Sequence, residues 1–282
     1  MVFEDLIGPI SARRHPLKLF FYGVVFAIIS VVFSLWIFPE QASLVMVFLV
    51  VFMVMPLMYF TLRDEEEWDW RGYSEKRLFY EHSKAIRFLL FLFIGFVVGF
   101  SLFYLFLPDD TVRQLFSVQL DTISNINGSI TGGTVELETL SIILSNNIRV
   151  LLFTLLFALF FGAGALFILA WNASVISAAV GTFFRNAIAD SANLFGFSKA
   201  AVYFHFFSIG ILRYLTNGIF EIAAYFFGAL AGGILSMNIM RHGFGNRNFK
   251  KVLTDTVLLA FVALVLLLVG ALIEVFITPL IF

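Results

Sequence analysis

Apolar runs of about 20 residues recur along nearly the whole chain. That is the length a membrane-crossing helix needs, because the hydrocarbon core is about 30 Å thick and each helical residue rises about 1.5 Å. The runs fall at 17–38, 42–62 and 88–107, then at 148–184, 200–240 and 256–280. Inside lipid every backbone N–H and C=O must be satisfied within its own segment, so each run reads as helix. Of the 282 residues, 61% are hydrophobic and only 13% charged, too few for the surface of a soluble domain of this size. The expected fold class is all-α: a polytopic transmembrane helix bundle.

Two runs are too long for one crossing. The stretch 148–184 calls for a break, expected at Trp171 and Asn172, followed by a short second segment. The stretch 200–240 carries Asn217-Gly218, a turn dipeptide, and reads as a hairpin of two helices. The count is then about seven spans, or six if 200–216 is re-entrant. Lys and Arg number three at the start of the first span (Arg13, Arg14 and Lys18), six in 63–87 and four in 241–251, with Arg185 and Lys199 between spans four and five. The loop 108–147 carries Arg113 alone. Positive charge gathers on the cytoplasmic side, so the N-terminus is expected inside, and the loop 108–147 and the C-terminus outside. The expected location is the plasma membrane. The N-terminal residues are too polar for a cleaved signal peptide, so the first run is expected to stay as a helix.

The loops carry their own signals. Asp64-Glu65-Glu66-Glu67, interleaved with Trp68 and Trp70, reads as a solvated charge run. An interfacial helix from Ser74 then leads into the third span, with aromatics at headgroup level. Asp109-Asp110 and Thr134 each stand where a helix would start. Asn127-Gly128-Ser129 is a glycosylation sequon.

The polar residues inside the apolar runs are the main clues to function. Asn146, Asn147 and Arg149 open span four on the outer side, Asn172 lies further along it, and Asn217 and Glu221 stand at the outer end of span six. Glu274 is 18 residues beyond Thr256, roughly 27 Å by the helical rise, again near the outer boundary, with Thr278 one turn on. Three helices are thus expected to bring Arg149 to the level of the two carboxylates, where opposite charges attract strongly in a reduced dielectric. The cluster reads either as a structural salt-bridge and hydrogen-bond network or as a ligand, ion or lipid site. Ala224, Gly228, Gly232 and Ser236 follow Glu221 at spacings of three or four, a small-residue stripe for close helix packing. Tyr203 and His205 read as satisfied interior groups.

No catalytic pattern is present: no HExxH, no GxSxG and no Walker A, and Gly162-Ala163-Gly164 lacks the third glycine and the strand of a dinucleotide fold. Without cysteine there are no disulfides, thiol catalysis or Cys-ligated metals. A non-enzyme with no cofactor and no metal is expected. The expected partners are the lipid bilayer and other membrane or envelope proteins, with homo-oligomers compatible and nucleic acid excluded.

Three blocks in order resemble the stage II sporulation protein M family. The first is Asn146-Asn147-Ile148-Arg149, followed by an apolar run, glycines and Asn172. The second, Asn217-Gly218-Ile219-Phe220-Glu221, resembles a block usually written His-Gly-x-x-Glu. The third is Leu272-Ile273-Glu274-Val275-Phe276-Ile277-Thr278-Pro279. The resemblance covers roughly 88–282 and implies a five-span core there, with 1–87 adding two N-terminal helices and the acidic, aromatic loop. Asn217 stands where the family has histidine, so a metal or proton role for that histidine would not carry over. The family's sporulating member looks like a membrane scaffold for peptidoglycan-remodelling enzymes, which implies a non-catalytic scaffold or membrane-remodelling role. The alternatives are a transporter or channel built on the Arg/Glu/Asn cluster, suggested by breaks at Asn172 and Asn217, and, more distantly, an intramembrane hydrolase.

Overall fold

The structure, a computed structural model, describes residues 16–70, 75–130, 136–158, 163–190 and 197–281. Helix α1 is Pro16–Ile37, and a 3₁₀ turn at Pro39–Gln41 leads into α2, Ala42–Trp70. Then follow α3 (Glu75–Phe106), α4 (Asp109–Leu115), α5 (Ser117–Ile130), α6 (Glu136–Ala158) and α7 (Ala163–Asp190). Helix α8 is Phe197–His242 and α9 is Phe249–Leu272, continued by a π turn at Ile273–Ile277 and by α10, Thr278–Ile281. Seven of these helices are long and apolar enough to cross a membrane, and the protein is an all-α membrane bundle.

The crossings differ from the expected ones in two places. Within the run 148–184, α6 ends at Ala158 and α7 begins at Ala163, and α7 continues unbroken through Trp171 and Asn172. Asn172 stays inside α7 by donating its amide to the Ile168 carbonyl, 2.7 Å away and one turn back, a local bond that absorbs a polar side chain without opening the helix. Gly164 of α7 lies against Phe157 of α6, where a Cβ would overlap the Phe157 Cβ. The expected hairpin at Asn217-Gly218 is instead the interior of the 46-residue helix α8. An Asn-Gly turn needs positive φ, and among the described residues only Gly243 and Gly245 have it. In a long apolar run, opening the helix would orphan backbone groups, and that outweighs the weak helix propensity of Asn and Gly. So 200–216 is part of α8, neither a separate span nor a re-entrant loop, and Ala163–Asn186 is a further helix long and apolar enough to cross.

Helix packing relies on glycine. A Cβ on Gly23 of α1 would lie 2.6 Å from the Leu92 carbonyl of α3. One on Gly95 would overlap the Phe20 carbonyl, and one on Gly99 would lie 2.6 Å from Ala27 Cβ. The two helices therefore meet backbone to backbone. One apolar core runs through α1, α2, α3, α7 and α8, with Phe88, Phe96, Phe100 and Phe226 fully enclosed.

Both rims of the bundle are tied by polar groups. At one rim, α4 and α5 dock on the ends of α2 and α7. Gln119 of α5 is buried, accepts from Ser43 Oγ at 2.6 Å and donates to Ser174 Oγ at 3.1 Å. Gln114 donates to the Pro39 carbonyl at 2.7 Å. Arg185 bonds Asp109 and the Leu107 carbonyl. That corrects its expected placement: Arg185 lies on the side of the 108–147 loop, opposite the 63–87 segment. At the other rim Glu65 and Glu66 are fully buried. Glu65 pairs with His82 of α3 at 2.8 Å, and Glu66 with Arg241 at 2.6 Å and His242 at 3.2 Å. The acidic run is thus not a solvated face. It is the last part of α2, which continues helical to Trp70.

Candidate functional site

Helices α6, α8 and α9 form a three-helix unit whose apolar floor is Leu151, Ala224, Tyr225, Ala263 and Leu267. The small residues of α8 permit this. Gly228 lies against Leu151 and Gly232 against Leu155 and Ala158, so that a Cβ at 232 would stand 2.6 Å from the Leu155 carbonyl. Ala224 and Ser236 are buried on the same helix. Contacts 147 to 221, 151 to 228 and 155 to 232 advance together, so α6 and α8 run parallel.

Above this floor the polar groups meet. Asn147 of α6 is buried, and its Nδ2 donates to Glu221 Oε1 at 2.6 Å. One turn along α8, the Tyr225 hydroxyl donates to Asn147 Oδ1 at 3.3 Å. Asn147 thereby spends both ends of its amide on α8. Glu274 continues the third helix, in a turn that packs against both α8 and α6. It sits in the π turn, and the cause is Pro279. Proline has no N–H to continue the ladder and its ring crowds the carbonyl four residues back. The helix widens by one residue, and both the N–H and the Oγ1 of Thr278 turn to the Ile273 carbonyl, the latter at 3.2 Å.

The remaining expected members lie elsewhere. Arg149 is exposed and makes no ion pair with a described residue, so the expected attraction between it and the carboxylates is absent. It is two positions from Asn147, and residues two apart on a helix point to different sides. Asn146 is also exposed. Asn172 bonds its own helix, although Ile168 in the same turn packs against the three-helix floor. The side chains of Asn217, Tyr203 and His205 and the sequon at Asn127 lie outside the described residues. Tyr225 was not anticipated, though its position four residues after Glu221 on one helix face could have signalled it. Glu65, Glu66, His82 and Asn238 are buried and, with the partly exposed Arg241, form a second polar network, of which the acidic run alone was expected in solvent. Asn238 Nδ2 donates to Glu66 Oε1 at 3.2 Å.

What the cluster can do follows from its parts. It offers carboxylate, amide and phenol oxygens from three helices, and Asn147 holds two of those helices in register. Among the described residues no group of three or more His, Cys, Asp or Glu could hold a metal ion.

A family model for Stage II sporulation protein M matches residues 87–279, well over half the chain. The matched segment begins in α3, ends at Pro279 and contains Asn147, Glu221, Tyr225 and Glu274. Neither the curated proteins nor the solved structures give a significant match.

Proposed function

The chain belongs to the Stage II sporulation protein M family, and we propose that it serves as a non-catalytic integral membrane scaffold or membrane-remodelling component. The observation that carries this reading is the use of the polar groups. Asn147 and Glu221 bond each other across α6 and α8, directly above a glycine-mediated contact too tight to admit a solute path between those helices. Such bonds between membrane helices hold a shape, and each contributes on the order of 1 kcal/mol. The placement of the basic segments 63–87 and 241–251 on one rim is consistent with a cytoplasmic N-terminus and an outward C-terminus in the plasma membrane.

One observation favours transport as a second reading. Glu274 stands in a π turn that packs against α8, the helix of Glu221, and π turns recur at functional sites. Reconstituted liposomes separate the two. On the scaffold reading, proton and alkali-cation flux through the wild type equals that of empty vesicles, and Glu221→Gln and Glu274→Gln change nothing. Affinity capture in mild detergent then retrieves the same envelope proteins repeatedly. Flux that disappears with either substitution would transfer the assignment to a transporter, and capture with no reproducible partner would count against a scaffold.

A further inference from the structure

The loop joining α8 to α9 holds out an aromatic side chain that the proposed function leaves unused. Phe244 is 80% exposed and stands between Gly243, with φ of 76°, and Gly245, with φ of 71°. Positive φ strains any residue bearing a Cβ, so these two glycines set the course of the loop. Asn246 fastens it. Its Nδ2 donates to Asn238 Oδ1 and to the Gly243 carbonyl, each at 2.9 Å, and its Oδ1 accepts from the Asn248 N–H at 3.1 Å. The Phe244 ring lies 6.1 Å from that of Phe249. From Phe249 an exposed apolar stripe continues along α9 through Leu253 and Val257 at four-residue steps. The ring therefore ends a lipid-facing surface.

Charge completes the pattern. Arg247 and Lys250 are exposed, and no carboxylate occurs from Arg241 to Thr254. Arg241 is already engaged by Glu66. We infer that loop 243–248 and the start of α9 bind the phosphate headgroups of anionic phospholipid. Phe244 sits at the membrane interface, and Arg247 and Lys250 lie against the headgroup charge. Aromatic rings favour that depth because one face is apolar while the edge tolerates water, and each cation near an anionic surface shifts binding about fivefold. A soluble acidic partner would satisfy the cations but would leave the ring's continuity with the lipid-facing stripe without a role.

The chain has no cysteine, so Leu253→Cys, exposed on the stripe one turn past Phe249, offers a unique attachment point for a fluorophore in reconstituted vesicles that leaves the loop intact. Phosphatidylglycerol with a nitroxide on its acyl chain is expected to quench that fluorophore more than phosphatidylcholine labelled the same way. The preference is expected to fall about fivefold on Arg247→Gln and about fivefold again on adding Lys250→Gln. A label at Phe38→Cys, on the other rim, is expected to show no preference and serves as the folded-protein comparison. Equal quenching by the two lipids at position 253 would overturn the assignment. So would no quenching by either, a preference that survives loss of both cations, or the same preference at position 38.

Discussion

Gly95→Leu is expected to separate α1 from α3 and to lower the unfolding free energy by about 3 kcal/mol, the upper range for overpacking a well-filled contact. The reason is what the new side chain would meet. A Cβ at 95 would overlap the Phe20 carbonyl and lie 2.9 Å from Gly23 Cα, both backbone groups that cannot rotate away. Even Gly95→Ala is expected to destabilise, because the first carbon already collides. Gly218 gives the control. It lies inside α8 with no atom of a described residue within 4 Å of its would-be Cβ, so Gly218→Ala is expected to stabilise by up to about 1 kcal/mol through helix propensity alone. Unfolding by steric trapping in bicelles checks all three, and a Gly95→Leu protein as stable as wild type would show that α1 and α3 do not meet as described.

Glu66→Ala is expected to cost about 3 kcal/mol by the same measurement. Glu66 is 0% exposed and receives Asn238, Arg241 and His242 from α8. Removing one member of a buried ion pair typically costs 3–5 kcal/mol, roughly, since the other charge is left without its partner. The lower end applies here because the Arg241 side chain is 34% exposed and partly rehydrates. Glu66→Gln retains an acceptor for Asn238 and is expected to cost less than Glu66→Ala. The loss should change little with added salt, as the carboxylate is shielded from mobile ions. A strong salt dependence would mean that Glu66 stands in water.

Much of the bundle was legible in the chain because lipid makes helices nearly obligatory wherever about 20 apolar residues run together. The limits of those helices were less legible. Asn172 and Asn217-Gly218 look like breaks by local propensity, but the desolvated backbone overrides propensity. Helix α6 ends at Ala158 and α7 starts at Ala163, and Gly164 lets the two helices touch near those ends. The count of seven held while one of its members changed. Gly95-x-x-x-Gly99 carries the same small-residue signal as Gly228-x-x-x-Gly232 and marks the α1–α3 contact.

The site was partly legible as well. Asn147, Glu221 and Glu274 were singled out by the rarity of polar groups in apolar runs, and the three helices that bear them do converge. Pairing Arg149 with the carboxylates went too far, because depth along a helix does not fix the side it faces. Exposure of the acidic run could not be judged without knowing that α8 ends in Arg241 and His242 beside it. Arg185 was assigned to the wrong rim because 148–184 was taken as one crossing, whereas α6 and α7 are each long and apolar enough to cross.

Asn147 and Glu221 join α6 to α8 by a direct bond that stabilises the bundle. A double-mutant cycle of Asn147→Ala and Glu221→Ala, read as unfolding free energy in bicelles, tests it most directly. The bond calls for a coupling of about 1 kcal/mol between the two substitutions. Additivity to within about 0.3 kcal/mol would contradict it.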